Sequence, residues 1–266
     1  MSTLDNLAIR YGTDKSSDKH NYCVKYEKYL TFNRYDKLNI LEIGVLDGKS
    51  LLTWKDYYYR SNILGIDINP DCKKYEEDRI SVEIGSQADN VFLLDVMREY
   101  GPFDMILDDG SHMNEHVIYS FEHLFESIKP GGVYIIEDVS TSYWHSYNGG
   151  LNKPNSMVEY FKKLADDVNF RGLENVENQE AVWWRREDFL IPYSNKIQPD
   201  CRTDIESITF LNGIILINFM LCLSHLLPFR KCRHRLWPRW RSLGQIWQSP
   251  GFAAKNRSRP GPNASG

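Results

Sequence analysis

Short apolar runs recur along the first half of the chain, and the stretches between them carry their apolar positions at helical spacing. The runs at 39–45, 62–66, 80–84, 103–108 and 132–137 read as strands, and residues 49–58, 89–100 and 114–128 between them read as helices. Such alternation builds βαβ units, and therefore a parallel sheet with helices on both faces. Residues 22–34 have helical character, with Tyr22, Tyr26 and Tyr29 at helical spacing. Packing against the sheet is their expected role, and ligand contact is the alternative. Residues 147–155 are rich in Asn, Gly and Pro and read as a surface loop placed to act as a lid, followed by an amphipathic helix from 156 to about 168. Farther on, the apolar runs 207–211 and 214–219 flank Asn212-Gly213, a tight-hairpin signal.

The first strand runs directly into a glycine-spaced turn, Leu41 to Ser50, LEIGVLDGKS. Gly44 and Gly48 permit close backbone approach to a ligand, and Glu42 places a carboxylate beside the turn. The spacing is Gly-x-x-x-Gly, neither the Gly-x-Gly-x-x-Gly of a pyrophosphate cradle nor a P-loop, which favours a ligand without phosphates. Asp67 stands 23 residues after Gly44, at the end of the second strand, where a Rossmann-type fold receives a ribose hydroxyl pair. The ordered pair points to a nucleoside held by carboxylates.

Composition changes this picture in two places. The 266 residues, 42% hydrophobic and 26% charged, suit one sizeable core and one catalytic domain. All 36 acids but only 23 of the 32 basic residues lie at or before Glu206, so residues 1–206 carry −13 and the remainder +9. An acidic body argues against nucleic-acid substrates, whose phosphates need a basic surface. Cys23, Cys72, Cys201, Cys222 and Cys232 are odd in number and form no Cys-x-x-Cys pair, and the N-terminus lacks the apolar core of a signal peptide, so reduced thiols in the cytoplasm are expected.

The tail poses its own question. Residues 208–229 are largely apolar and precede Arg230, Lys231, Arg233, Arg235, Arg239 and Arg241, a pattern like a membrane span with a cytoplasmic flank. Asn212, Gly213, Asn218, Ser224, His225 and Pro228 interrupt it, and the hairpin accounts for its first half. What is left, 220–227, is too short to cross a bilayer, so no membrane contact by the tail is expected. From Ser242 onward the acid-free, Gly-, Pro- and Ser-rich sequence is expected to be disordered, and whether this terminus is native is left open.

Further segments appear in a fixed order: YGTDKSSDKHNY from Tyr11, SLLTWKDYY from Ser50, IGSQAD from Ile84, FDMILDDGSH from Phe103 and GGVYIIEDVSTSYW from Gly131. With the glycine turn and Asp67, this series resembles the class I S-adenosylmethionine-dependent methyltransferases, and within them the metal-dependent sugar O-methyltransferases of macrolide biosynthesis, the mycinamicin type. The resemblance covers roughly residues 8–219. It implies a Rossmann-like, seven-stranded, mostly parallel sheet with an antiparallel last strand. Residues 1–38 would form a helical cover, 39–219 the methyltransferase domain and 220–266 an atypical basic tail. It also implies S-adenosylmethionine bound by Glu42, Gly44 and Gly48 on the methionine side, Asp67 at the ribose, and Ser86 with Gln87 near the adenine, with Ser50 either supporting the turn or touching the carboxylate end. Thr13, Asp14 and Lys15 resemble a segment closing over the acceptor, although a helix-capping turn explains them as well.

The chemistry should lie where strands end. Asp108 and Asp109 close one strand, and Glu137 and Asp138 close the next, about 4.8 Å away at the usual spacing. Neighbouring strand residues point to opposite faces, so one of Asp108 and Asp109 enters the cleft; the resemblance selects Asp109, with Glu137 and Asp138, as metal ligands. An all-oxygen set suits Mg²⁺ or Mn²⁺. The plainer reading is that these acids cap helices. His112, three residues beyond Asp109, is the expected general base for a hydroxyl acceptor. Tyr143 and Trp144 would give an apolar platform for a sugar or aglycone. Ser140 stands where the related enzymes often carry histidine, leaving His145 as a weak substitute for a second base. His112-Met113-Asn114-Glu115-His116 also fits the inverted zinc-peptidase pattern, which requires both histidines on one helix. The expectation is therefore a Mg²⁺-assisted O-methyltransferase acting on a hydroxyl of a small molecule or glycan. A non-catalytic cofactor-binding module is the reading from another class, and a homo-oligomer is left open.

Overall fold

The computed structural model describes residues 3–168 and 205–220. All but the end of the chain groups into one compact unit, Met1–Leu221; the second, Cys222–Gly266, lies outside the described residues, as do the expectations for the basic tail. Among the described residues seven strands form one sheet: β1 (Asn39–Ile43), β2 (Asn62–Asp67), β3 (Ile80–Ile84), β4 (Phe103–Asp108), β5 (Ile128–Ile136), β6 (Ile205–Leu211) and β7 (Ile214–Phe219). Their order is β3-β2-β1-β4-β5-β7-β6, and β7 runs antiparallel to both neighbours. The Rossmann-like sheet expected from the sequence is the one observed.

The helices are α1 (Leu4–Tyr11), α2 (Tyr22–Tyr29), α3 (Lys49–Tyr57), α4 (Asn90–Tyr100), α5 (Asn114–Leu124) and α6 (Met157–Val168). Thr3 starts α1 by accepting from the Asn6 backbone N–H, and Gly12 ends it at φ 75°. Asp89 caps α4 through the N–H groups of Val91 and Phe92. The sequence places α2 too long, to residue 34; it stops at Tyr29, with Leu30 extended at ψ 127°. Conversely, β5 begins four residues earlier than the apolar run suggested, because Lys129-Pro130-Gly131 hides its first turn of strand from a pattern reading.

Strand parity decides what each face carries. Ile40, Met105, Leu107, Val133, Ile135, Ile214 and Leu216 share one core with Leu4, Ala8, Tyr22, Cys23, Tyr26, Leu51 and Trp54, so α1, α2 and α3 cover that face. The odd and even positions left over, Leu41, Ile43, Ile106, Tyr134 and Ile136, are equally buried beside Phe121 and Phe161 of α5 and α6. Glu42 pairs with Leu107, and Leu107 with Ile135. Two residues farther on, Asp109 and Glu137 therefore emerge on the same face as Glu42, toward α2 and α3. Asp108 goes to the other face.

Candidate active site

At the carboxyl ends of β1, β2, β4 and β5 lies a cavity of about 370 Å³, the position open α/β sheets use for ligands. Thr13, Asp14, Lys15, Gly44, Ser50, Asp67, Ser86, Gln87, Asp109, His112 and Asp138 all line it. Glu42, Gly48, Glu137, Tyr143 and Trp144 do not.

The glycine turn is built for chain against chain as much as for chain against ligand. Gly44 has φ 94°, and a Cβ there would sit 2.2 Å from the Asp109 carbonyl oxygen. Gly48 begins α3 at φ 72°, where a Cβ would meet the Tyr75 ring at 2.7 Å. Gly44 therefore faces the cavity and also admits the Asp109 carbonyl, whereas Gly48 lies against Tyr75 and outside the cavity lining. Asp67 fastens the same turn, accepting from the N–H groups of Val45 at 2.8 Å, Leu46 at 3.1 Å and Asn69 at 2.8 Å. Against partial burial, those backbone donors hold its carboxyl below the usual range. Beside it, Leu46 and Ile68 line the cavity as exposed apolar side chains, 78% and 74% accessible. The sequence reading missed both; an apolar residue directly after a strand-terminal acid is the signal that could have found Ile68.

A second group of residues forms the acidic end. Lys15, 2% exposed, places its ammonium against Asp109, 2.7 Å from Glu137 and 3.6 Å from Glu42. Burial works against its charge, yet Asp109, Glu137 and Glu42 together raise its pKa well above the usual lysine value. Glu42 is fully buried; Ser50 donates to its Oε1, while Oε2 has no partner, an orphaned acceptor suited to a cationic ligand group. Burial pushes the Glu42 carboxyl up to about 7 despite Lys15 and Ser50. Glu137 accepts from Lys15 and from the Tyr26 phenol, and burial followed by the charge of Asp109 drives its pKa upward. Tyr22 donates to Asp138 at 2.6 Å. Lys15, expected at the acceptor, is thus enclosed by Asp109, Glu137 and Glu42, and the tyrosines expected to pack on the sheet also hold Glu137 and Asp138 in place.

His112 has φ 56° and Asp138 φ 50°, so both loops turn sharply as the strands end. Thr141 ties them, donating to the carbonyls of Asp138 at 2.8 Å and His112 at 3.4 Å. His112 Nε2 lies 3.6 Å from Asp138 and 4.0 Å from Asp109. One donor atom from each of these three falls within 4.8 Å of the others. The two carboxylates of this group are oxygen donors of the kind a hard divalent cation takes, with the His112 imidazole beside them. Glu137 stands beside it, and its oxygens keep lone pairs beyond those that Lys15 and Tyr26 use.

Asp108 has a different task. Its buried carboxylate receives Ser120 at 2.5 Å, Gln87 Nε2 at 3.1 Å and Tyr134 at 3.2 Å, while burial raises its pKa. Gln87 Oε1 accepts from Ser111 N at 2.7 Å. The amide expected near the adenine is therefore engaged in holding the Asp108–Ser111 turn, although it still forms part of the cavity wall. Ser86 lines the same wall, and its Oγ accepts from the Ala88 N–H.

On the acceptor side, Tyr143 and Trp144 are exposed at 45% and 52%. Tyr147 is the ring near His112, its centroid 6.3 Å from that of His112 and 5.9 Å from Trp144. Three residues after Trp144, it ends a short helical turn, His145–Tyr147, at the point where the composition predicts a loop. That loop folds back on itself, with Gly149 N bonded to the Trp144 carbonyl and Asn114 Nδ2 to that of Tyr147. Ser140 and His145 are exposed and stand outside the cavity. The zinc-peptidase arrangement does not form: α5 starts at Asn114, His112 precedes it in a left-handed conformation, and His116 Nδ1 lies 3.0 Å from Ser111 Oγ.

No protein-family model matches the chain. Among curated proteins it is similar to demethylmacrocin O-methyltransferase of Streptomyces fradiae, 40% identical over 180 residues, covering 64% of this chain and 45% of that protein. It is likewise 40% identical over 186 residues to mycinamicin VI 2''-O-methyltransferase of Micromonospora griseorubida, covering 66% and 46%. The chain thus spans about half the length of the curated relatives it matches. Among solved structures, MycE methyltransferase from the mycinamycin biosynthetic pathway, in complex with Mg, SAH and mycinamycin VI, matches with TM-score 0.70 and 30% identity over 83% of this chain and 54% of that one. The resemblance read from the sequence is borne out: in sequence and fold the chain is similar to macrolide-sugar O-methyltransferases of the class I S-adenosylmethionine-dependent type.

Proposed function

We propose that the chain transfers the methyl group of S-adenosylmethionine to a hydroxyl on the sugar of a glycosylated small molecule, with Mg²⁺ or Mn²⁺ assistance. The observation that carries this reading is the meeting of Asp109, His112 and Asp138 at the edge of a cavity whose other walls are the Gly44 turn and Asp67. Nucleic acid is not a partner on this reading, because the body of the chain is acidic. The activity belongs to residues 39–219 under the 1–38 cover, in the cytoplasm, with the 220–266 tail outside it.

When bound, the cofactor supplies an activated methyl group and the divalent cation lowers the pKa of a hydroxyl beside it. The residues do the rest. Asp67 would accept from a ribose hydroxyl, Leu46 and Ile68 would cover a planar base, and Glu42, buried behind Ser50, would place negative charge beneath the amino end. Asp109, Glu137 and Asp138 hold the cation. His112 Nε2, beside Asp138 and Asp109, would take the acceptor proton. Trp144 and Tyr147, outside the cavity on the His112 side, would bound the acceptor.

The test is methyl transfer to a panel of glycosylated macrolides before and after chelation, with metal analysis of Asp138→Ala, His112→Ala and His116→Ala. Mg²⁺ should restore activity, Asp138→Ala should lose the metal, and His112→Ala should keep metal and cofactor while turnover falls roughly 10²–10⁴-fold. Zinc in the wild type that disappears from both histidine variants would overturn the reading.

A further inference from the structure

Three carboxylates, one in β1 and two directly after β4 and β5, converge on the Lys15 ammonium: Asp109 in contact, Glu137 at 2.7 Å and Glu42 at 3.6 Å. Two of them, Glu42 and Glu137, are at most 2% exposed, so water does little to offset their charge. The lysine itself is held at both ends. Its carbonyl accepts from the N–H groups of Tyr22 and Cys23 at 2.9 Å, at the start of α2, while its side chain passes inward to the acids. Lys15 is therefore fixed before any ligand arrives, and it joins the acid next to the cofactor cavity to the acids next to the cation locus.

We propose that Lys15 is a positioning residue, an internal cation that holds Asp109 and Glu137 preformed for the divalent ion and ties them to Glu42 at the cofactor end. This rests on the metal-assisted reading above. Charge is what distinguishes it from a packing role. Glu42, Asp109, Glu137 and Asp138 carry four negative charges when ionised; Lys15 offsets one and a divalent ion offsets two. S-adenosylmethionine, with its sulfonium and ammonium against one carboxylate, offsets the fourth. Lys15 is the permanent member of that set, and in the metal-free protein it is the charge that keeps the acids together.

The experiment is thermal unfolding of the full chain, without cofactor, in chelator and in saturating Mg²⁺, for wild type, Lys15→Met, Glu137→Gln and the double variant. Removing one partner of a buried pair should lower the Tm of Lys15→Met in chelator by roughly 6–20 °C. Mg²⁺ should close most of that gap, because the divalent ion replaces the missing charge. The double variant, having lost a carboxylate with the lysine, should melt above Lys15→Met in chelator. A gap that Mg²⁺ leaves unchanged, or a double variant no more stable than Lys15→Met, overturns the proposal. Should Lys15→Met fail to fold, Lys15→Arg keeps the charge and should fold with a Mg²⁺ response like the wild type; an unfolded Lys15→Arg together with an unfolded double variant overturns it. Calorimetric titration of the wild type with Mg²⁺ separates the two failures. No binding would remove the metal-assisted reading, whereas the chelator comparison of single and double variants needs no metal and decides the role of Lys15 alone.

Discussion

The Tyr22 phenol donates a 2.6 Å hydrogen bond to Asp138 Oδ1 across 116 residues of sequence. Asp138 sits at φ 50° on the loop that follows β5; Tyr22 holds its carboxylate, and Thr141 holds its main-chain carbonyl. On the other side, Gly213 leaves room for the phenol, since a Cβ there would come within 2.7 Å of the Tyr22 oxygen. A helix, a hairpin and a strand end are thereby brought to bear on a single carboxylate.

Tyr22→Phe should therefore weaken Mg²⁺ binding while leaving cofactor affinity and fold intact. The ring would keep its stacking on His20, 5.2 Å between centroids, and lose only the donor. Partners of metal ligands typically influence affinity by about 10–100-fold, and the lower end is expected here because Thr141 remains. Calorimetric titration with Mg²⁺ checks it, and an unchanged affinity would count against the assignment of Asp138.

Gly44→Ala should cost more than Gly12→Ala, although both sites have positive φ. A Cβ at Gly12 meets nothing within 4 Å, so only left-handed strain is expected there, about 1–3 kcal/mol. At Gly44 the same strain is joined by a 2.2 Å collision with the Asp109 carbonyl, which must shift. Urea unfolding should place Gly44→Ala below Gly12→Ala, with both cofactor and metal affinity reduced in the former. Equal stability of the two variants would show that the β4 turn yields freely.

The stability contribution of Asp67 should depend on pH in a definite sense. Its folded pKa is depressed, the backbone donors prevailing over burial, so the folded state favours the carboxylate. That stability is present above the ordinary aspartate pKa of about 3.9 and is lost as pH falls through the lower folded value. Asp67→Asn should thus be less stable than wild type at pH 7, with the difference shrinking below about pH 4. A difference that holds steady down to pH 3 would assign the effect to packing instead.

Much of the fold was written locally. Ile80–Ile84 and Phe103–Asp108 have the ends that the apolar runs gave them, and Asn212-Gly213 marks the hairpin that turns β7 against its neighbours. Less legible was α2, whose tyrosines at helical spacing read as packing residues. Tyr26 does pack, 5.5 Å from Trp54, but its hydroxyl reaches Glu137, and a period cannot encode what a hydroxyl will meet. Leu46 and Ile68 were hidden for the opposite reason: exposed apolar side chains follow no buried pattern.

What the sequence by itself determined is the set of strand ends and the residues standing on them. Gly44, Asp67, Asp109, His112 and Asp138 reach one cavity because a parallel sheet gathers its carboxyl ends on one edge, and strand period and turn residues are local properties. Parity would also have separated Asp108 from Asp109 once the register was known. The surroundings of those acids belong to the tertiary structure alone. Lys15 is 94 residues from Asp109 and 122 from Glu137, and Tyr26 is 111 from Glu137. These contacts exist only because α1 and α2 pack over the face of the sheet on which Glu42, Asp109 and Glu137 emerge. A lysine in a polar segment carries no local mark of burial; the packing around it is what turns it from a surface charge into the cation inside the acid cluster.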